Sequence, residues 1–146
     1  MPTPTIGSPA PWPAGITNQD GKAVHLADYA GKNVLLYFYP KDDTPGCTIE
    51  ACNLRDHLPQ LRNTVVFGAS VDDAASHHAF RTKFNLPFDL LVDPDKALAK
   101  AYGALPEGSQ KASRMSVLIG PEGKVAVVWA KVDPKVHHQE VLAAVG

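Results

Sequence analysis

The 146-residue sequence predicts an α/β fold in which a mixed central sheet is flanked by helices. Three observations indicate this class. Short runs rich in apolar and β-branched residues alternate with longer segments of helical pattern. The last two of these runs are separated by a Pro-Glu-Gly turn, and an amphipathic segment ends the chain. No repeat or linker divides the sequence, and its length suits a single domain spanning residues 1–146.

The N-terminal part of the chain leads into the first main strand. Residues 1–13 are rich in proline and are expected to be extended. Residues 16–26 predict an N-terminal β-hairpin, because Asp20 and Gly21 suit the positive φ angles of a tight turn. The apolar run at residues 34–39 then predicts a buried strand.

A helix is predicted from about residue 45 to residue 61. Thr44 suits the N-cap position, and the ring of Pro45 fits the first helical position. Pro59 lies near the other end and is expected to disturb the last turn.

The second half of the sequence continues the alternation of strands and helices. The predicted elements are strands at residues 64–71, 88–92, 116–119 and 124–129, and helices at residues 73–84, 94–102 and 134–145. Asp72 or Asp73 suits the N-cap of the first of these helices, and Gly103 suits the end of the second. The last two strands form a hairpin in this prediction.

Charge and composition exclude several classes of partner. The chain has 14 basic and 15 acidic residues, so no basic surface for nucleic acid or an anionic membrane is expected. Its longest apolar runs are far too short to span a membrane. The proline-rich start lacks the basic and hydrophobic regions of a secretory signal. With only two cysteines as well, the sequence predicts a cytoplasmic protein whose thiols act transiently.

The two cysteines, Cys47 and Cys52, lie in one predicted helix. Cys47 would be its third residue, where unpaired amide groups and the positive end of the helix dipole favour a thiolate. Five residues on an ideal helix separate the two Cα atoms by about 8–9 Å, whereas a disulfide tolerates at most about 7 Å. The thiols can therefore pair only if the helix unwinds, as in a redox switch.

The residues around Cys47 favour attack on a small oxygen electrophile. The hydroxyl of Thr44 and the amides of Gly46 and Cys47 are expected to surround the sulfur and bind a polar oxygen atom. Pro40 would turn the chain out of the strand and shield the pocket from water. Attack on a weak O–O bond gives a sulfenic acid, for which Cys52 is the candidate partner thiol. Nothing in the run requires a metal ion or a cofactor.

At this point the sequence resembles a known family. The pattern Pro40-x-x-x-Thr44-x-x-Cys47 is similar to the active-site signature of the peroxiredoxins. The additional residues Thr48, Glu50 and Cys52 resemble the bacterioferritin-comigratory-protein, or peroxiredoxin Q, subfamily. The pattern at residues 93–100 and the segment Arg114 to Ile119 before a glycine-containing turn fit it as well.

The resemblance implies a thioredoxin-like fold and a thiol peroxidase that reduces hydrogen peroxide and organic hydroperoxides. Cys47 then corresponds to the peroxidatic cysteine, Cys52 to the resolving cysteine, and Arg114 to the arginine that stabilises the thiolate and the peroxide. Thioredoxin or a related dithiol protein would be the reductant. The subfamily contains monomers and dimers, so a monomer or a weak homodimer is expected.

Two other functions and several residue roles stay open at this stage. A thioredoxin-type disulfide carrier would need closer cysteines than Cys47 and Cys52, and a non-enzymatic peroxide sensor would use the same oxidation without turnover. Arg55 and Arg81 are rivals for the role of Arg114, and Glu50 either orients the arginine or faces solvent.

Two pairs of adjacent histidines raise the possibility of a metal site. The residues are His77, His78, His137 and His138. Neighbouring histidines point to different sides of a helix, and no carboxylate lies at a spacing that would complete a site. All four are therefore predicted to lie on the surface.

Overall fold

The computed structural model describes residues 3–145, so positions 1–2 and 146 of the predicted domain lie outside the described residues. Five strands form one sheet in the order β3-β2-β1-β4-β5. The strands are β1 (Asn33–Phe38), β2 (Thr64–Ser70), β3 (Asp89–Val92), β4 (Met115–Ile119) and β5 (Val125–Trp129). The pairs β1–β2 and β2–β3 are parallel, whereas β1–β4 and β4–β5 are antiparallel. The predicted mixed sheet is confirmed.

Four α-helices accompany the sheet: α1 (Pro45–His57), α2 (Ala74–Lys83), α3 (Ala97–Tyr102) and α4 (His137–Val145). Consecutive residues of β1 contribute to two different buried clusters, Leu36 and Phe38 to one and Leu35 and Tyr37 to the other. Side chains alternate across a strand, so the clusters lie on opposite faces of the sheet. Burial on both faces explains the continuous apolar run in the sequence. Cys47 belongs to the second cluster.

Helix α1 is shorter than predicted, because it ends at His57 and continues as a 3-10 helix, Leu58–Gln60. Pro59 lies in this last turn and has no amide hydrogen for an α-helical hydrogen bond. The amide of Leu58 donates instead to the carbonyl of Arg55, a tighter contact three residues back.

The predicted helix from residue 94 is divided in two, because residues Pro94–Lys96 form a 3-10 helix and α3 begins only at Ala97. Asp95 and Lys96 adopt positive φ angles of 54° and 57°, which interrupt the helix. The carboxylate of Asp93 accepts hydrogen bonds from the amides of Leu98 (2.7 Å) and Ala99 (2.8 Å), so it caps α3 across this kink. Gly103 closes the helix with a φ of 71°, as predicted.

The N-terminal hairpin is not confirmed as a pair of strands. Residues 16–26 contain one turn with a single antiparallel bridge, Thr17 to Ala23, and Thr17 forms a second bridge to Val92 of β3. This segment therefore closes onto the edge of the sheet. The described part of the proline-rich start lies against the start of β5, where Gly7 donates to the carbonyl of Val125 over 2.8 Å.

The C-terminal helix also starts later than predicted, at His137 instead of residue 134. The amide of His137 donates to the carbonyl of Asp133 over 3.0 Å, so a turn precedes the helix proper. No helix in the described part of the chain is long and apolar enough to cross a membrane.

Candidate active site

Cys47 lies where the central strand gives way to helix α1. Thr44 has the extended backbone of an N-cap residue, with φ −99° and ψ 157°, and Pro45 begins the helix. Cys47 is thus the third helical residue, as predicted, and it is only 1% exposed. The amides of the first turn have no acceptor within the helix, so they present partial positive charge to the sulfur.

Arg114 contacts the sulfur directly. Its Nη2 donates to Sγ of Cys47 over 3.3 Å, and its Nη1 donates to Oε1 of Glu50 over 2.9 Å. The residues meet because β4 runs antiparallel to β1, with Met115 paired to Phe38, so Arg114 lies beside the end of β1. Burial acts to lower the pKa of Arg114, but the contacts with Cys47 and Glu50 outweigh it and the pKa is raised.

The rival arginines bind elsewhere. Arg55 donates from Nε to Asp56 over 2.8 Å and from Nη1 to the carbonyl of Phe84 over 2.7 Å. Arg81 donates from Nε to the carbonyl of Phe88 over 3.1 Å. Of the three candidates, Arg114 is the one that the structure brings to Cys47.

Glu50 lies one turn after Cys47 and is buried in the same region. Desolvation raises its pKa from 4.5 to about 7, although the neighbouring Arg114 acts to lower it. Its second carboxylate oxygen, Oε2, has no hydrogen-bond partner among residues 3–145. Glu50 therefore faces Arg114 rather than solvent. Burial of its negative charge at this site costs free energy.

Burial of Glu50 predicts a specific pH dependence of stability. Its pKa is higher in the folded state, so the folded protein binds more protons between pH 4.5 and pH 7, and the free energy of unfolding falls as the pH rises through this window. The loss is at most about 3 kcal/mol. The free energy of unfolding is measured by urea titration for wild type and Glu50→Gln at several pH values in this range. The wild-type value, relative to that of the variant, should fall as the pH rises. Parallel curves would show an ordinary pKa at Glu50.

Thr44 occupies the predicted N-cap position, but its side chain makes no capping hydrogen bond. Its hydroxyl donates to the carbonyl of Lys41 over 2.9 Å, and no capping hydrogen bond from it is found among the described residues. The contact fixes the direction of the hydroxyl proton, because the loop before α1 turns the Lys41 carbonyl towards it. With its proton committed, Oγ1 of Thr44 is left to accept a hydrogen bond from another group.

Gly46 allows the close approach of the guanidinium group. A Cβ atom at this position would lie 3.1 Å from Nη2 of Arg114, tighter than nearly all real contacts. A larger residue would therefore require the guanidinium group of Arg114 to shift by a few tenths of an ångström. Pro40 is half-buried in the loop that follows β1, and its shielding role stays a prediction.

Cys52 is half-buried in the same unbroken helix, and both cysteines are free thiols. Because α1 runs without interruption from Pro45 to His57, the helical separation of about 8–9 Å between the two Cα atoms applies in this state. The site is therefore reduced and not arranged for a disulfide.

The prediction of surface histidines is wrong at three of four positions. His77 and His137 are 0% exposed and His138 is 8% exposed, whereas the side chain of His78 is largely exposed. His137 packs edge-on against Trp129, and the ring of His138 lies 4.4 Å from that of His57. These burials depend on tertiary neighbours that spacing along a helix does not reveal.

His77 takes part in a network that the sequence analysis missed. Together with Asp42 and Asp72 it forms the one cluster among the described residues in which three potential metal-ligand atoms lie within 4.8 Å of one another. These atoms already bond within the protein, because His77 pairs with Asp42 over 2.7 Å and Ser70 donates to Asp72 over 2.6 Å. A sequence signal did exist, since His77 lies three residues before the buried Phe80 on one face of α2.

Comparison with known proteins decides the family. The model of the AhpC/TSA family matches residues 6–128. The chain belongs to the AhpC/TSA family. Its relatives include the putative peroxiredoxin bcp of Coxiella burnetii, 42% identical over 135 residues that cover 87% of this chain and 89% of the relative. Peroxiredoxin Bcp of Bacillus subtilis is 41% identical over 145 residues, which cover 94% of this chain and 92% of the relative.

Solved structures agree with the family assignment. A mutant of peroxiredoxin Q from Xylella fastidiosa has a TM-score of 0.86 at 32% identity and covers 96% of this chain and 94% of its own. The bacterioferritin comigratory protein of Xanthomonas campestris has a TM-score of 0.83 at 34% identity and covers 89% of this chain and 88% of its own. The predicted thioredoxin-like fold, the peroxiredoxin Q resemblance and the thiol peroxidase function are confirmed.

Proposed function

We propose that Cys47 is the peroxidatic residue of this thiol peroxidase and that Cys52 resolves it. The observation that carries the proposal is the 3.3 Å contact between Nη2 of Arg114 and Sγ of Cys47 at the start of α1. A fixed guanidinium and the helix end both stabilise a thiolate, which is the form of cysteine that attacks.

The reaction begins with attack of the Cys47 thiolate on the terminal oxygen of a hydroperoxide. A sulfur–oxygen bond forms as the O–O bond breaks, and the departing oxygen takes up a proton to leave as water or an alcohol. Arg114 and the amide groups of Gly46 and Cys47 stabilise the negative charge that develops on the oxygens. Oγ1 of Thr44, whose proton is committed to Lys41, accepts the hydrogen bond of the peroxide hydroxyl.

Glu50 serves to orient the guanidinium group. It accepts from Nη1, so the opposite nitrogen, Nη2, is turned towards Cys47. Pairing through two different nitrogens fixes the plane of Arg114 more firmly than a single contact would.

Cys52 completes the cycle in this proposal. Its thiol attacks the sulfenic acid of Cys47, a disulfide forms, and water is released. The helix between them must open locally for the sulfurs to meet. A dithiol protein of the thioredoxin type then reduces the disulfide by thiol–disulfide exchange.

The substrates in this proposal are hydrogen peroxide and organic hydroperoxides. The Xanthomonas campestris neighbour supports the second group, since its structure was studied for alkyl peroxide reduction activity. We further propose that thioredoxin is the reductant and that the protein is cytoplasmic. The chain would act as a single functional domain, either as a monomer or as a weak homodimer. The near-neutral charge supports a function without nucleic acid or membrane partners.

The proposal is tested by mixing fully reduced protein with one equivalent of hydrogen peroxide. We expect rapid loss of both thiols, a mass decrease of about 2 Da and no covalent dimer, as for one internal disulfide. Stopped-flow and quenched samples analysed by mass spectrometry give the rate and the product. Reaction no faster than that of a free thiol would overturn the assignment of Cys47. Rapid oxidation without turnover by any dithiol donor would indicate a sensor, and insulin reduction would indicate a disulfide carrier.

A further inference from the structure

We propose that His77, on α2, is a positioning residue for the peroxide reaction, acting through Asp42 on the loop that carries Thr44. The inference rests on the proposed function of Cys47 and deepens it. The loop in question is residues 39–44, between the end of β1 and the start of α1.

His77 is held at both ring nitrogens inside the protein. Nδ1 lies 2.7 Å from Oδ2 of Asp42, and Nε2 lies 2.8 Å from the carbonyl oxygen of Leu91 in β3. A carbonyl oxygen only accepts, so Nε2 carries a proton and donates to Leu91. The imidazole therefore connects the loop to β3, an edge strand of the sheet.

Asp42 is anchored by its side chain and its main chain. Its carboxylate accepts hydrogen bonds from the hydroxyl of Tyr39 and, over 2.8 Å, from Oγ of Ser76. Its amide donates to Oδ2 of Asp72 over 2.8 Å. The contact with His77 is the one that ties this carboxylate, through the ring, to β3.

The network reaches the reacting atoms through the two residues that flank Asp42 in the chain. Lys41 precedes Asp42, and its carbonyl accepts the hydroxyl proton of Thr44 over 2.9 Å. Asp43 follows with a left-handed φ of 55°, so the loop makes a sharp turn with little freedom to adjust. A shift of Asp42 therefore moves the Lys41 carbonyl and, with it, Oγ1 of Thr44.

Such a shift affects one reaction of Cys47 more than another. Peroxide attack depends on Oγ1 of Thr44 to align the O–O bond, and a misplacement of about 1 Å can cost as much as about 100-fold in rate. Alkylation by iodoacetamide depends on thiolate content and access, and it makes no use of that hydrogen bond. A merely structural role of His77 would not separate the two rates.

Two substitutions of His77 provide a matched pair. The amide nitrogen of asparagine reaches the position of Nδ1 and can still donate to Asp42, whereas that of glutamine reaches the position of Nε2 and can still donate to Leu91. Each variant loses one buried contact: His77→Gln loses the hydrogen bond to Asp42, whereas His77→Asn loses the one to Leu91 and keeps Asp42 bonded to α2. Both are made in a Cys52→Ser background, where Cys47 is the single thiol.

In this background we expect His77→Gln to slow the gain of one oxygen from hydrogen peroxide by about 10- to 100-fold. The rate of alkylation by iodoacetamide should change by less than about threefold. The peroxide rate of His77→Asn should be at least about fivefold higher than that of His77→Gln. His78→Gln, next in the chain and exposed, is the control for substitution on α2.

The positioning role would be overturned if His77→Gln lowered the peroxide rate and the alkylation rate by the same factor. Equal peroxide rates in His77→Gln and His77→Asn would overturn it as well. Failure of the proposed function is distinguishable, because the parent protein would then react with peroxide no faster than a free thiol. If the His77 variants do not fold, Tyr39→Phe removes a different donor to Asp42, and the same selective loss of peroxide reactivity is required of it.

Discussion

Replacing Cys47 with serine is expected to abolish hydroperoxide turnover, whereas replacing Cys52 with serine is expected to leave the first oxidation intact. Serine has the shape of cysteine but remains protonated at neutral pH, so Cys47→Ser lacks the attacking group, with a loss of at least about a thousandfold. Cys52→Ser should consume one equivalent of peroxide at the wild-type rate and then stall. Peroxide consumption measured with and without a dithiol reductant separates the two phases.

The two variants control each other, because they replace the same atom at two positions of one helix. A wild-type rate of continued turnover in Cys52→Ser with thioredoxin would show that Cys52 does not resolve the sulfenic acid. Direct reduction of Cys47 would then be required. In the stalled variant excess peroxide should convert the sulfenic acid to sulfinic acid, visible as a second added oxygen.

The order and type of the main elements followed from local sequence signals. The apolar run before Pro40, Pro45 at the first position of α1 and Gly103 after α3 each act within a few residues, so these signals can be read from the sequence alone. One error lies where a distant group decided the outcome, because the N-terminal turn joins β3 rather than extending its own hairpin. The start of α3 depends instead on local backbone conformation, which lets the Asp93 carboxylate fold back onto the amides of Leu98 and Ala99.

The same division applies to the active site. The position of Cys47 at the helix start could be predicted from its neighbours, whereas Arg114 lies 67 residues away and was assigned from the family resemblance. His77 was missed because its partner, Asp42, is 35 residues distant and becomes a neighbour only when β1, α1 and α2 are assembled. The acceptor of the hydrogen bond from the Thr44 hydroxyl likewise depends on the loop conformation and not on residue type.

Oxidation to the internal disulfide is expected to remove hydrogen-exchange protection from α1, with at least about a tenfold increase in the exchange rates of amides between Cys47 and Cys52. The physical reason is the gap between the helical Cα separation of about 8–9 Å and the disulfide limit of about 7 Å. Exchange followed by mass spectrometry on reduced and oxidised protein measures the effect. Helix α2 contains no cysteine and provides the internal reference.

The contacts of α1 indicate which part of it opens. Ala51 and Leu54 are fully buried, and Asn53 donates to the carbonyl of Pro134 over 3.4 Å, so the C-terminal half is anchored to the core and to the turn before α4. The N-terminal half is held at Cys47 by Arg114, a contact that favours the thiolate and weakens once the sulfur is oxidised. Loss of protection should therefore start at the N-terminal end of α1. Equal protection in both redox states would overturn the argument that α1 must unwind for the disulfide to form.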